Sequence, residues 1–302
     1  MAVILTEEQQ GIKEMVRSFM EKSVKPHISE YDKSGEFPVE LYKQGFEIGL
    51  HIMNIPEEFG GLGLDNVTMA VALEEMGRVD PGFAITMLST SLTLKDVLVG
   101  GTKEQKQRAA DIIIPGAHED KMGLRLSNTV TMFLDNVRVP ASNMLGQVGD
   151  GIKIALHGLD AGRLYNSAIS VGIAQHAIEE ATAYAKERVQ FGKPIIENQA
   201  IQMMLADMQR GTEAARCMVH NSMRLMDMGV ENVSMEASCC KAFASDNAVK
   251  CATDAVQVLG GYGYSKEYPV EKIMRDSKIF QIFEGTNQIQ RLVIARQMAK
   301  LY

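Results

Sequence analysis

Apolar positions step by three and four along most of the chain, the period of a helix buried on one face. Ile12, Met15, Val16 and Phe19 form the first stripe, with Thr6 and Gln9 at capping-box spacing ahead of it. This helix is expected to end before Pro26. A second starts near Pro38 and turns Leu41, Phe46 and Leu50 inward. After the loop NIPEEFGGLGLD, where Gly60, Gly61 and Gly63 permit turns, residues 66–78 and 82–99 read as helices. Thr102 with Gln105 opens another that stops at Pro115.

The period changes over residues 117–140, where TVTMFLDNVRVP alternates and carries β-branched residues, the mark of a strand or two. Beyond Gly149 helical stepping returns. Leu164, Ala168, Val171, Ala174, Ile178, Ala181, Ala185 and Val189 line one face, and further helices are expected over 199–228, 234–259 and from Thr286. Four long helices with short connections predict an antiparallel four-helix bundle. The chain therefore reads as mostly α: a helical domain over 1–116, a thin strand-like band over 117–147, and the bundle over 148–302.

Composition sharpens this picture. The 302 residues include 20 methionines and no tryptophan, a mix that favours helix over sheet. A net charge of −7 argues against a general nucleic-acid binder. No segment approaches the length of a membrane span, and MAVILTEEQQ does not read as a transit leader, so a bacterial-type cytoplasmic location is expected. Cys217, Cys239, Cys240 and Cys251 lie within helical patterns at no zinc spacing and read as reduced thiols.

Candidate chemistry is sparse. GGLGLD and GGYGYS lack the strand–turn–helix setting of a dinucleotide fingerprint, and each reads first as a structural turn. No histidine follows a glutamate by three positions, which excludes the di-iron bundle pattern and leaves no metal site. Arg188, in ERVQFGKP, either complements a helix C-terminus or meets a phosphate. Glu284 follows the apolar Ile279, Phe280, Ile282 and Phe283 and precedes Gly285 and Thr286. An acid at a helix start is ordinary; a carboxylate among apolar groups is also how a general base for a carbon acid is made. From the residues alone both readings stand.

Taken in order, LDAGR (159–163), ERVQFGKPI (187–195), QVLGGYGY (257–264) and MRDSKIFQIFEGTNQIQR (274–291) closely resemble the acyl-CoA dehydrogenase family, nearest in look to short-chain, butyryl-CoA-type enzymes. PEEFGGLGLD and EDKMGLRLSNT…VRVP fit the same pattern. The resemblance implies an FAD enzyme that places a trans-2 double bond in an acyl-CoA thioester. It implies Glu284 as the α-proton base, while the β-hydrogen leaves as hydride to flavin N5. Some relatives carry the base one residue before the arginine of LDAGR, which here is Gly162. The likeness assigns Arg188, Gln199 and Gln257, Val258, Leu259, Gly260 and Gly261 to the FAD of a neighbouring subunit, and Thr286, Asn287 and Gln288 to the flavin side of the last helix. Asp160, Ala161, Gly162, Arg163 and Gly285 correspond to positions that meet the acyl-CoA. It further implies a homodimer or homotetramer reoxidised by electron-transferring flavoprotein.

The sequence departs from the family in one place. The β-domain expected between the helical regions is mostly absent, and DIIIPG runs directly into AHEDKMGLRLSN, leaving residues 117–147 as its remnant. The alternative reading is a non-catalytic helical oligomer that has lost the flavin site.

Overall fold

The computed structural model describes residues 4–102, 119–129, 138–230 and 232–301. Ten α-helices among the described residues build the molecule. They are α1 (Glu7–Phe19), α2 (Ile28–Ser34), α3 (Val39–Glu47), α4 (Asn66–Val79), α5 (Pro81–Gly100), α6 (Gly151–Glu187), α7 (Gln199–Asp227), α8 (Ser234–Leu259), α9 (Val270–Ser277) and α10 (Asn287–Leu301). The mostly helical class expected from the apolar period holds.

The expected capping box is present: Thr6 accepts from the Gln9 amide, and the Gln9 side chain accepts from the Thr6 amide. Val16 is buried in the core while Met15 stays exposed, so the inward stripe is narrower than the sequence implies. Pro26 does not end the rod. A π-turn over 20–24 and a 3₁₀ turn over 25–27 absorb it at a helix-start position, and α2 follows without a gap.

At the centre lies a parallel pair, α6 and α8, packed directly on each other, with α7 running antiparallel alongside both. Ser234 at the start of α8 donates to Asp160 near the start of α6, and the end of α8 reaches Arg188 beyond the end of α6. Ala168, Ala174, Ala177, Ala181 and Ala185 of α6 are all buried, as are Ala244, Ala248, Ala252 and Ala255 of α8. Small residues on facing stripes let the two helix backbones approach closely. α4 lies along α6 on the far side, and α10 packs on α8.

α6 and α7 are joined by a two-residue hairpin, β1 (Val189–Gln190) and β2 (Lys193–Pro194), with Val189 opposite Pro194. The sequence reading continued the helical stripe through Val189 and did not foresee this hairpin. The helix expected from Thr102 to Pro115 and most of the strand pattern over 117–140 lie outside the described residues. Residues 119–129 form turns.

That turn segment is tied firmly to the rest. The Leu124 amide donates to Asp276 of α9 at 2.7 Å, and the Arg125 guanidinium donates to the Asp32 carbonyl at 3.1 Å. Lys272 of α9 sits between Asp80, which caps α5, and Asp276, at 2.7 and 2.5 Å. α9 thereby joins the N-terminal helices to the bundle.

Candidate active site

Glu284 stands at the end of a short connection between α9 and α10. A 3₁₀ turn over 278–281 leads into it, with Phe280 buried and in edge contact with Phe283 at 4.9 Å. The apolar run thus anchors the segment on the core and delivers the next residue to its edge. Glu284 itself has φ +55° and Gly285 has φ +84°, so two successive residues are left-handed. For a glutamate this backbone is uncommon and is held by its surroundings.

The holding group is Gln290, fully buried in the first turn of α10. Its Nε2 donates to the carbonyls of Glu284 at 3.2 Å and Gly285 at 2.9 Å. A Cβ on residue 285 would stand 2.7 Å from that nitrogen and displace its grip, and the left-handed backbone there favours glycine. Thr286 accepts from the Ile289 amide and begins α10. The amide N–H groups of Glu284 and Gly285 have no acceptor among the described residues.

The Glu284 side chain reaches α6. A Cβ built on Gly162 would lie 2.9 Å from Glu284 Oε2 and 3.3 Å from Leu92 of α5. The missing side chain at 162 therefore leaves a slot that the carboxylate fills, with an apolar wall behind it. Burial pushes the Glu284 carboxyl above the ordinary glutamate range, and the positive charges of Arg163 and Lys241 oppose that rise without cancelling it.

Arg163 and Lys241 differ in company. Arg163 is buried and donates to Asp160 at 2.7 Å, and Asp160 in turn accepts from Ser234. Lys241, 1% exposed, donates to Asn287 Oδ1 at 2.8 Å. Asn287 is completed by Ser245 and Asp246, to which its Nδ2 donates at 2.9 and 2.7 Å. Desolvation pulls the Lys241 ammonium down to about 8.

A second region lies at the far ends of α6 and α8. Arg188, Val258, Leu259, Gly260 and Gly261 line one open groove of about 480 Å³, closed at one side by Tyr184 and Tyr262. The Arg188 guanidinium stands over the Tyr262 ring at 5.8 Å. A Cβ on Gly260 or Gly261 would meet nothing within 4 Å, so the backbone there is bare to an incoming group.

The structure thus gathers five of the seven residues assigned to the neighbour's FAD into one groove. Gln257 is exposed beside it, and Gln199 is exposed at the start of α7. Near Glu284 it gathers Gly162, Arg163, Gly285 and Asn287, while Thr286 serves as a cap and Gln288 faces solvent. Ala161 is buried. Gln290, Lys241 and Leu92 were not singled out by the sequence reading. A lysine or glutamine within a helical pattern reads as surface, and only the glycine at 162 hinted at a neighbour needing space.

A bent backbone presents a half-buried carboxylate with two unpaired amides beside it, an arrangement able to take a proton next to a developing negative charge, and the separate groove offers a guanidinium and bare backbone to an anionic group. The N-terminal domain of acyl-CoA dehydrogenases matches residues 6–116 and the C-terminal domain matches 149–299. The chain belongs to the acyl-CoA dehydrogenase family. Members of this family are FAD-dependent oxidoreductases that act on CH–CH donors.

An acyl-CoA dehydrogenase of Bacillus subtilis is 36% identical over 374 aligned positions, covering 97% of this chain and 98% of the relative. A short-chain-specific acyl-CoA dehydrogenase of Megasphaera elsdenii is 33% identical, covering 96% and 97%. The solved butyryl-CoA dehydrogenase of Megasphaera elsdenii superposes with a TM-score of 0.93 at 32% identity, over 99% of this chain and all of that one. A chain of a structure reported as an electron transferring flavoprotein of Acidaminococcus fermentans gives 0.93 at 35% identity, with 99% of each chain covered. The 374 aligned positions outnumber the 302 residues of the chain, so the Bacillus relative carries residues absent here.

Proposed function

We propose that the chain carries out FAD-dependent α,β-dehydrogenation of a short-chain acyl-CoA thioester, with Glu284 as the base that takes the α-proton. The observation that carries this reading is the Glu284 carboxylate in its slot against Gly162 and Leu92, with an elevated proton affinity. A base for a weak carbon acid needs that affinity. The short acyl chain is supported by the likeness to the Megasphaera elsdenii enzymes.

Each group has a defined task. Asp160 holds Arg163, and this buried stretch of α6, with the bare Gly162, backs the Glu284 carboxylate where the thioester would be met. The unpaired Glu284 and Gly285 amides are donors for the thioester oxygen, which gains negative charge as the α-proton leaves. Gln290 keeps those amides aimed by gripping both carbonyls. Bound FAD supplies the acceptor for the β-hydrogen. Arg188 and the bare Gly260–Gly261 backbone would hold its phosphates, and by likeness to the family Thr286 and Asn287 would belong to the flavin site.

By likeness to the family, this groove would receive the FAD of a second copy, and the working unit would be a dimer or tetramer. Electron-transferring flavoprotein is the electron acceptor. In domain terms the chain consists of an N-terminal helical domain over 1–116, a remnant of a middle β-domain over 117–147 and the four-helix bundle over 148–302.

Replacing Glu284 with glutamine tests the base. Turnover of butyryl-CoA is expected to fall by about 10³-fold with helical content retained. Unchanged turnover would remove Glu284 from the mechanism. A second reading, a non-catalytic helical oligomer, is favoured by the residues that the relatives carry and this chain lacks. The visible spectrum separates the two: a bound flavin band supports the enzyme, and a colourless oligomer supports the scaffold.

A further inference from the structure

Two lysines are buried in this molecule in different ways. Lys272 is clasped by Asp80 and Asp276 and its ammonium is held well above the usual range. Lys241 has no carboxylate within salt-bridge distance among the described residues, and the acceptor it meets is the neutral Asn287 amide oxygen. A buried ammonium with a single neutral partner is costly, and a fold retains one where the charge is used.

The surroundings show where that charge acts. On its own helix Lys241 faces Asp246, which is occupied by Arg291, Gln281 and Asn287 at 2.9, 2.7 and 2.7 Å. From α6 it feels Arg163, already neutralised by Asp160. From the segment before α10 it feels Glu284. Glu284 in turn senses two cations, Arg163 and Lys241, of which Lys241 alone is unpaired. From α5 the apolar Leu92 stands 3.3 Å from the Gly162 Cβ position that Glu284 Oε2 approaches at 2.9 Å.

We propose that Lys241 is a positioning residue for the reaction: its buried ammonium fixes the Asn287 amide at the start of α10 and supplies the unpaired positive charge that keeps the Glu284 carboxyl ionised and ready to take a proton. This rests on Glu284 being the base. The two functions follow from one placement. Asn287 presents its oxygen to Lys241 at 2.8 Å and to the Ser245 hydroxyl at 3.2 Å, and its nitrogen to Ser245 and Asp246, so the ammonium is the closer of two groups that set the amide's orientation and with it the docking of the turn that carries Glu284. Without that charge, Arg163 alone opposes the effect of burial, and more of the carboxyl is protonated at neutral pH.

The test uses the FAD-loaded protein in two ways. In Lys241→Met the acid limb of the kcat/KM profile for butyryl-CoA is expected to move to higher pH by on the order of one unit, with activity restored at alkaline pH. An unmoved limb would overturn the charge role. The second measurement needs no turnover and does not depend on that variant folding. With ¹³Cε-labelled lysine, the Lys241 resonance is titrated in the parent protein and in Glu284→Gln. Coupling is reciprocal, so loss of the Glu284 charge should move the Lys241 titration to lower pH. A titration unchanged in Glu284→Gln would overturn the proposal even where that variant has lost turnover. Full turnover by Glu284→Gln would instead overturn the base assignment, so the two failures are told apart.

Discussion

The Glu284 carboxylate occupies the volume that a side chain on Gly162 would fill, with Oε2 2.9 Å from the position of the missing Cβ. Residues far apart in sequence therefore address one point in space. A side chain supplied from α6 at 162 would enter the space that the carboxylate from the turn before α10 occupies.

Relocation of the base is the first consequence. Glu284→Gly should lose turnover by about 10³-fold, and adding Gly162→Glu should restore part of it because the new carboxylate enters the vacated slot. Steady-state kinetics with butyryl-CoA checks this. A double variant as inactive as the single one would mean the slot does not point at the substrate.

The raised proton affinity of Glu284 also has a stability sign. Burial raises its carboxyl pKa in the fold, so its favourable contribution is present below the unfolded glutamate pKa and is lost as pH rises through the folded value. Glu284→Gln, which cannot ionise, should be more stable than the parent at pH 8 and lose that advantage near pH 4. Thermal melts at the two pH values decide it; a constant difference contradicts the assignment.

Packing makes a separate demand on α4 and α6. A Cβ on Gly172 would meet the Glu74 carbonyl at 2.2 Å and the Arg78 amide nitrogen at 2.7 Å, and backbone atoms cannot swing aside as a side chain can. Gly172→Ala should destabilise by about 3 kcal/mol, read from chemical denaturation. Gly261→Ala, built into open space, should leave stability nearly unchanged.

The buried Lys272 triad responds differently from Lys241. Lys272→Met leaves Asp80 and Asp276 facing each other without their cation, and should cost about 3–5 kcal/mol. The loss should shrink at low pH, where one carboxyl takes up a proton. Urea unfolding of the variant at pH 7 and pH 5 measures both effects.

Much of the helical frame was legible in the sequence because period and caps are local. The expected 199–228 and 234–259 compare with observed helices Gln199–Asp227 and Ser234–Leu259. Thr6 and Gln9 were read correctly from spacing alone. What the pattern missed depends on partners distant in sequence. Met15 belongs to the apolar stripe yet faces out, since neighbouring helices cover only Val16's side. Lys241 and Gln290 sit on helices as ordinary polar residues, and only their contacts with Asn287 and with the Glu284–Gly285 carbonyls reveal why they are buried. The left-handed backbone at Glu284 is likewise set by Gln290 and not by the glutamate itself.

If Glu284 takes the α-proton, exchange at the substrate α-carbon depends on its carboxylate. The FAD-loaded protein is incubated with butyryl-CoA in D₂O, and deuterium at the α-carbon is followed by NMR or mass. The parent should wash deuterium in, and Glu284→Gln should do so at least about 10²-fold more slowly. Exchange by Glu284→Gln at the parent rate would show that another group removes the proton and would contradict the account.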